Sequence, residues 1–325
     1  ISGFKMNTID NNYHIPKNQT LFSFSPERPF GISLYDYFDK VYTLINGNSS
    51  DEFAFTVGST PFSTWYYVIS ASITYLIVVF GGQYLMRNTD VIKAKFIFQL
   101  HNFLLTGVSF SLLLLLFEQL FPVWYHHGLF HSLCAKEAWT QRLEILFYLN
   151  YLVKYWELTD TVFLVLRKKS LGFLHVYHHT FTVWMCYVDL IGKPPMSYVP
   201  ITLNLAVHVP MYYYYFRAAG GARIWWKKYL TTMQITQFVL DLIFVYFCSY
   251  VYFSHLYLHD LLPSWGGCAG DHASALFGMG LLSSYLVLFV DFYKQTYSSA
   301  TRGKESINGV KKDIKKTVNE KIVEK

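Results

Sequence analysis

One short stretch of the chain, residues 174–180, carries three histidines in an otherwise apolar and aromatic run: Leu174-His175-Val176-Tyr177-His178-His179-Thr180. On an α-helix, His175, His178 and His179 are spaced i, i+3 and i+4, so their imidazoles emerge from one face. Such polar groups are costly inside a hydrophobic helix. The HxxHH stretch therefore marks a candidate functional site.

The composition around this stretch is that of a membrane protein. Of the 325 residues, 53% are hydrophobic and only 15% are charged, whereas a soluble domain has about 25% charged residues. Apolar runs of 20 or more residues recur along the chain, which predicts an all-α protein that crosses the membrane several times.

The net charge of +6 is concentrated at the C-terminus, where eight of the 27 Lys and Arg residues follow Ala300. Beside a membrane, such a tail contacts anionic headgroups or is simply solvated, and we expect no nucleic-acid partner. We divide the chain into a lumenal N-terminal segment (1–60), a seven-helix membrane domain (61–296) and a basic cytosolic tail expected to be disordered (297–325).

Hydropathy predicts an interfacial amphipathic helix around Ile32–Asn46 and seven membrane spans. The spans are Trp65–Met86, Phe96–Phe121, Leu143–Leu166, Gly172–Ile191, Ser197–Phe216, Tyr229–Phe253 and Ala273–Tyr293. The loops after the first, third and fifth spans hold ten Lys and Arg residues, against three in the other loops. This bias predicts a lumenal N-terminus and a cytosolic C-terminus. It places two glycosylation sequons, at Asn18 and Asn48, on the lumenal side.

The four cysteines fall into two pairs. Cys186 and Cys248 lie within predicted spans and are expected to be small core residues. Cys134 and Cys268 lie in the two long loops predicted to face an oxidising lumen. We predict a disulfide between them, and two free thiols are the alternative.

The third span carries a polar stripe, with Lys154, Glu157 and Asp160 stepping by three residues and Thr161 adjoining them. Facing lipid, each charge would cost about 2.5–3.5 kcal/mol at mid-depth, so the stripe must face protein or a wet cavity. A purely structural ion pair between Lys154 and Glu157 is the alternative.

Similar stripes occur in three other spans and argue for one shared chamber. The second span opens with His101 and Asn102. The fifth has Asn204, His208, Met211, Tyr212 and Tyr215 on one face, and the sixth has Gln234, Gln237 and Asp241. For any one of these groups alone, a bond between helices worth about 0.6 kcal/mol would be a sufficient explanation.

Two kinds of chemistry could use such a chamber. A di-iron site of the membrane desaturase type needs about eight histidines, and the buried candidates here number only five. A neutral imidazole, with an ordinary pKa near 6.5, can instead attack a thioester if a carboxylate orients it and water is excluded. Glu157 and Asp160 are candidate orienting carboxylates.

Four ordered motifs resemble those of the ELO family of very-long-chain fatty-acid elongases. They are KxxExxDT from Lys154, HxxHH from His175, NxxxHxxMYxYY from Asn204 and TxxQxxQF from Thr231. The resemblance runs from about Arg28 to Tyr297, and segments such as Phe80-Gly81-Gly82 are similar to the fungal branch.

The resemblance implies a 3-ketoacyl-CoA synthase that condenses a long-chain acyl-CoA with malonyl-CoA and releases CO2 and CoA. It implies seven helices, six of them in an inverted 3+3 barrel around an acyl tunnel, with a lumenal disulfide between the loops of Cys134 and Cys268. It implies no metal and no cofactor beyond the two CoA substrates.

We assign roles on that basis. His178 is the expected nucleophile, and His208, across the chamber, is expected to bind or polarise the malonyl thioester. His175 and His179 orient the nucleophile or move protons, and Glu157 and Asp160 set histidine tautomers and charge. CoA phosphates are expected near Lys154, Arg223, Lys227 and Lys228. The pantetheine or thioester is expected near Asn204, Tyr212, Tyr215, Gln234 and Gln237.

The resemblance further implies the endoplasmic-reticulum membrane as the location. The ketoacyl reductase, dehydratase and enoyl reductase of the elongation cycle are the implied partners, and a homodimer is compatible with it. The alternatives from other classes are a di-iron desaturase or hydroxylase, a seven-span transporter and a receptor.

Overall fold

The computed structural model describes residues 23–257 and 266–298 as an all-helical chain. No β-strand occurs in these two ranges, where only an isolated bridge pairs Ser25 with Arg28. The predictions for Asn18 and for residues 299–325 lie outside the described residues. The α-helices are α1 Leu34–Asn46, α2 Trp65–Met86, α3 Lys95–Cys134, α4 Gln141–Leu166, α5 Phe173–Gly192, α6 Tyr198–Ala219, α7 Lys227–Tyr257 and α8 His272–Tyr293.

The seven predicted spans correspond to α2–α8. In the described part of the chain, four helices are long and apolar enough to cross a membrane: α2, α3, α7 and α8 with the π-turn that follows it. The polar stripes of α4, α5 and α6 lower their mean hydropathy. For these three helices, membrane crossing stays a prediction, and so do the orientation of the termini and the inverted 3+3 arrangement.

Helix α3 is longer than the span predicted for it. The span predicted from hydropathy ended at Phe121, one residue before Pro122. The helix continues to a bend at Gly128, where φ is 77° and ψ is 171°. It continues because Trp124 packs on Phe117 and donates from Nε1 to the Tyr198 hydroxyl, 3.3 Å away. These two contacts hold the turn of α3 around Trp124 against the start of α6.

Two buried glutamates that the sequence analysis did not single out hold the N-terminal segment in place. The carboxylate of Glu118 on α3 accepts the backbone N–H groups of Leu34 and Tyr35, each at 2.7 Å, at the start of α1. A carboxylate at this helix end also complements the helix dipole. Glu144 on α4 accepts the N–H of Phe55 at 2.7 Å and pairs with Lys193 at 2.7 Å.

Helices α3–α8 pack side by side in a closed ring. The packed pairs, taken around the ring, are α3 with α6, α6 with α7, α7 with α8, α8 with α5, α5 with α4, and α4 with α3. Helix α2 lies outside the ring against α4 and α5. The ring brings the polar stripes of α4, α5, α6 and α7 to a common interior.

A disulfide joins Cys134, at the end of α3, to Cys268, just before α8. The backbone reinforces this junction, because the N–H of Ala269 donates to the carbonyl of Cys134 at 2.8 Å. Helices α4–α7 all lie between the two bonded positions in the sequence. Cys186 and Cys248 are buried free thiols.

Candidate active site

The polar stripe of α4 meets that of α6 in a closed circuit of four side chains. Lys154 Nζ donates to Glu157 Oε1 at 2.9 Å and to Asn204 Oδ1 at 2.7 Å. Asn204 Nδ2 lies 3.2 Å from His208 Nε2, and His208 Nδ1 lies 3.2 Å from Glu157 Oε1. Lys154 is 2% exposed, Glu157 1% and His208 5%.

This circuit fixes the tautomer of His208. A carboxylate only accepts hydrogen bonds, so the proton facing Glu157 belongs to His208 Nδ1. His208 Nε2 then accepts from the Asn204 amide, whose oxygen accepts from Lys154. Both nitrogens of His208 are engaged in this arrangement. We therefore describe His208 as a neutral, positioned imidazole beside a buried ion pair.

Asp160 forms a second cluster one turn further along α4. Its Oδ1 lies 2.5 Å from His101 Nε2 on α3, and its Oδ2 accepts the hydroxyl hydrogen of Tyr212 at 2.8 Å. His101 and Tyr212 are both buried. The two carboxylates thus orient His208 and His101. Neither carboxylate bonds to a histidine of the HxxHH stretch. The sequence analysis had expected one of them to orient the nucleophile there, and that expectation was wrong.

The three HxxHH histidines differ in their surroundings on α5. His175 Nε2 lies 3.0 Å from Thr161 Oγ1, which also contacts the Tyr75 hydroxyl at 2.7 Å. The His179 ring packs on the His175 ring, with centroids 4.4 Å apart. The His178 ring packs 4.9 Å from the Tyr285 ring. Within residues 23–257 and 266–298, no group hydrogen-bonds to the ring of His178.

His178 lines a cavity of about 40 Å³ between the helices of the ring. We call this cavity the first chamber. Its polar lining comes from Asn150, Lys154, His178, Asn204, Gln237 and Asp241, and its apolar lining includes Met185, Cys186, Pro200, Ile201, Phe238 and Leu282. The His178 imidazole, the Lys154 ammonium group and an apolar wall therefore line the same cavity.

The remaining predicted substrate residues fall into two groups. Gln237 lines the first chamber and donates to Asp241 Oδ2 at 3.2 Å, and Gln234 Nε2 donates to Met211 Sδ at 3.5 Å. Tyr215 is 41% exposed. Arg223, Lys227 and Lys228 are exposed around the connection from α6 to α7.

Lys154 corrects the sequence analysis, which grouped it with the basic residues at a CoA entrance. Its ammonium group is enclosed by Glu157 and Asn204. The ion pair that had been the alternative explanation is what the structure contains. A buried charge needs such a partner, and the carboxylate three residues along the same helix face provides it.

The candidate metal ligands do not converge on the HxxHH stretch. In the described ranges, the side chains of three potential ligands come close enough together only at Cys134, Cys248 and Cys268. Two of these three are joined as the disulfide.

The predicted glycosylation residue Asn48 lies in the exposed turn after α1.

Some residues of the chamber were missed by sequence reasoning. Asn150 precedes Lys154 by one helical turn, and that spacing could have extended the α4 stripe. Asp241 was placed on the α7 stripe but not in the site. Tyr285 lies in α8, whose apolar sequence gave no signal that it would pack on His178.

Comparisons of the sequence with known proteins give one consistent family. Residues 60–305 match the GNS1/SUR4 (ELO) family. The chain is 44% identical over 273 residues to putative fatty acid elongase 1 of Schizosaccharomyces pombe, covering 84% of this chain and 81% of that protein. It is 39% identical over 299 residues to putative fatty acid elongase 2 of the same organism, covering 88% and 82%. It is 30% identical over 264 residues to mouse very long chain fatty acid elongase 2, covering 78% and 79%.

Proposed function

The chain belongs to the GNS1/SUR4 (ELO) family of fatty acid elongases, and from this premise we propose that it condenses a long-chain acyl-CoA with malonyl-CoA. The products are 3-oxoacyl-CoA, CO2 and free CoA. The reaction lengthens the acyl chain by two carbons and forms the first step of very-long-chain fatty-acid elongation. The enzyme is an acyltransferase that needs no cofactor beyond its two substrates.

The observation that carries the proposal is the contrast between His178 and His208. His208 has both nitrogens engaged, whereas no described group bonds to the ring of His178 in the first chamber. The lone pair of a neutral imidazole is nucleophilic towards a thioester. His178 is therefore the acyl-accepting residue.

The reaction proceeds in two balanced steps. A nitrogen of His178 attacks the thioester carbonyl, the carbon–sulfur bond breaks, and CoA leaves as the thiol with the proton that the imidazole loses. Malonyl-CoA then loses CO2, and the resulting enolate attacks the acyl-imidazole carbonyl. The carbon–nitrogen bond breaks and 3-oxoacyl-CoA forms, and the departing imidazolate takes up one proton from water, which restores neutral His178.

The surroundings of His178 suit this chemistry. Lys154 brings a buried cation to the lining of the first chamber, and such a group stabilises an enolate better in a site shielded from solvent than in water. The apolar lining from Met185 to Leu282 suits an acyl chain and limits hydrolysis of the acyl-imidazole. His175 and His179 lie on the same face of α5 as His178 and help to orient its ring.

The exposed basic residues Arg223, Lys227 and Lys228 are the candidate contacts for CoA phosphates, since ammonium and guanidinium groups pair with phosphate. We place the enzyme in the endoplasmic-reticulum membrane, with a lumenal N-terminus and a cytosolic C-terminus. The reductases and dehydratase that complete the cycle are its proposed partners.

Intact-mass measurement tests the proposal directly. The purified protein is incubated with a long-chain acyl-CoA alone, and we expect one acyl adduct that disappears when malonyl-CoA is added, with release of CO2. His178→Ala should form no adduct. Cys186→Ser is the matched control, because Cys186 is the thiol in the same chamber, and its adduct should persist. An adduct that persists in His178→Ala but is lost in Cys186→Ser would refute the assignment.

A further inference from the structure

Three cysteines meet where the end of α3, helix α7 and the segment before α8 come together. The Sγ atoms of Cys134, Cys248 and Cys268 all lie within 4.8 Å of one another. Cys134 and Cys268 form the disulfide, whereas Cys248 on α7 is a free thiol. Cys134 and Cys248 are buried in one core cluster, and Cys268 packs against it. The disulfide therefore has a free thiol beside it.

Contacts other than the disulfide hold the end of α3 at this junction. The ring of Phe130 on α3 packs edge-on against the ring of Phe247 on α7, with centroids 6.5 Å apart. The N–H of Ala269 donates to the carbonyl of Cys134 at 2.8 Å. The first contact keeps α3 on α7, and the second keeps α3 on the segment before α8.

A separate set of hydrogen bonds ties α7 to the start of α8. The hydroxyl of Tyr252 lies 2.8 Å from His272 Nδ1, and the hydroxyl of Tyr257 lies 2.6 Å from His272 Nε2. All three segments are thus joined to one another without the disulfide. Removing one cysteine should therefore leave the sulfur atoms of the other two close together.

The free thiol also lines a cavity that suits water. This cavity, which we call the second chamber, has a volume of about 40 Å³, and both Cys248 and Cys268 line it. A space of this size holds a water molecule if polar groups surround it. The polar lining residues are Asp189, Ser197, Ser249, Tyr252, Asp271 and Ser274. Water in the second chamber can therefore carry a proton to or from the sulfur atoms.

We propose that Cys248 is a third bonding partner of this disulfide and can take the place of Cys134 or of Cys268. The Cys248 thiolate attacks one sulfur of the disulfide, and a new sulfur–sulfur bond forms as the old one breaks. The electron pair of the broken bond stays on the released sulfur, which takes up the proton that Cys248 lost. The exchange consumes no oxidant and no reductant, and it is independent of the proposed acyl transfer.

The exchange gives Cys248 a resolving function. A small thiol such as glutathione that opens the disulfide leaves one cysteine as a mixed disulfide and the other as a thiol. Cys248 is a second thiol that can attack the mixed disulfide and expel glutathione as its thiol. Either new bond, from Cys248 to Cys268 or to Cys134, keeps the junction covalently closed.

Serine variants test whether Cys248 can replace each partner. The folded, full-length variants are incubated with oxidised glutathione, which oxidises two protein thiols to one disulfide and is itself reduced to two molecules of glutathione. The samples are then quenched in acid, alkylated and mapped by mass spectrometry without reduction. We expect a Cys248–Cys268 bond in Cys134→Ser and a Cys134–Cys248 bond in Cys268→Ser.

A double variant tests the resolving step. In Cys134→Ser, a glutathione adduct on Cys268 should be lost as the Cys248–Cys268 bond forms. In Cys134→Ser combined with Cys248→Ser, the adduct on Cys268 should persist at least tenfold longer. Equal lifetimes of the adduct in these two proteins would overturn the resolving role of Cys248.

Cys186 is the matched control. It is also a buried free thiol, and it lies on α5 in the lining of the first chamber. It should stay unpaired in every variant. If Cys186 pairs as often as Cys248, proximity does not select the partner and the proposal is overturned. Cys248 left unpaired in both single variants would overturn it as well.

The wild type gives a test that needs no substitution. In a buffer of reduced and oxidised glutathione, we expect a minority of molecules to acquire a bond to Cys248 over minutes to hours, which is the timescale of uncatalysed disulfide rearrangement. The exchange should be several-fold faster at pH 9 than at pH 7, because the thiolate is the attacking species. If the serine variants do not fold, this measurement decides. The absence of any Cys248 bond at both pH values would overturn the proposal.

Discussion

The imidazole of His208 lies between two groups that hold it from opposite sides, Glu157 at Nδ1 and Asn204 at Nε2, each at 3.2 Å. Glu157 is also the charge partner of Lys154. One carboxylate therefore both orients a histidine and neutralises a buried ammonium group. The orientation of His208 and the stability of the helix pair α4–α6 depend on the same side chain.

Glu157→Gln should destabilise the protein and inactivate it. Removing one partner of a buried ion pair leaves the other charge uncompensated, which costs about 3–5 kcal/mol. We expect a clear fall in Tm in detergent and a loss of malonyl-CoA-dependent CO2 release of roughly a hundredfold or more.

The double variant Lys154→Met with Glu157→Met separates the two effects. With both charges replaced by apolar groups, the Tm should recover most of its loss while the activity stays low. A Glu157→Gln protein with wild-type Tm would contradict the buried pair.

Tyr212→Phe should weaken the Asp160 cluster without abolishing the fold. It removes the hydroxyl that donates to Asp160 at 2.8 Å. A hydrogen bond to a charged group contributes about 1.5–3 kcal/mol to the free energy of unfolding. Denaturant unfolding in detergent measures the loss. Tyr213→Phe, one position along and exposed, should change stability by less than about 0.5 kcal/mol. Equal effects of the two substitutions would contradict the role of this bond.

Neutralising Arg223, Lys227 and Lys228 with glutamine should raise the KM for acyl-CoA several-fold, with kcat and product length retained. The physical reason is the loss of phosphate partners, and added salt should affect the variant less than the wild type. Steady-state kinetics at two salt concentrations measures both effects. Lys136→Gln, exposed between α3 and α4, is the matched control and should leave KM unchanged. An equal rise in KM in that variant would contradict the proposal that the three basic residues bind the phosphates of CoA.

The junction after α1 should loosen in acid. Asp39 accepts the Ser49 hydroxyl at 2.8 Å and the hydroxyl and N–H of Ser50, each at 2.7 Å. Burial would raise the pKa of Asp39, but these hydrogen bonds outweigh it and lower the pKa below its ordinary value. A native pKa below the unfolded one stabilises the folded state fully above about pH 3.9, and the stabilisation is lost as pH falls through the native pKa.

Hydrogen-exchange protection of residues 34–52, followed from neutral pH to pH 3, measures this change at the α1 junction. The wild type should lose protection in acid. Asp39→Asn should have lower protection at neutral pH and little further loss. Asp36→Asn, exposed on the same helix, should behave as the wild type. Retained protection of the wild-type segment at pH 3 would rule out a contribution from the Asp39 carboxylate.

The helices were predictable because their signal is periodic and local. Trp65–Met86 was predicted with the bounds it has, and the membrane character and family follow from composition and ordered motifs. The bonds within the site were not predictable in the same way. A stripe shows which residues share a face, but the angle between α4 and α6 decides that Glu157 reaches His208 and not His178.

Other errors have the same cause. Lys154 was expected at a CoA entrance together with Arg223, Lys227 and Lys228, yet Asn204 on another helix completes its burial. Glu118 stands alone in an apolar run, and only the docking of α1 gives it two donors.

The bond between Cys134 and Cys268 also constrains the order of events during biosynthesis. Its second cysteine is made 134 residues after the first, by which time α4–α7 have all been synthesised. The bond therefore cannot form on a nascent chain that lacks these helices. Its formation marks a stage at which α3–α7 have all been made, and this bond in a ribosome-bound intermediate would identify chains that have passed that stage.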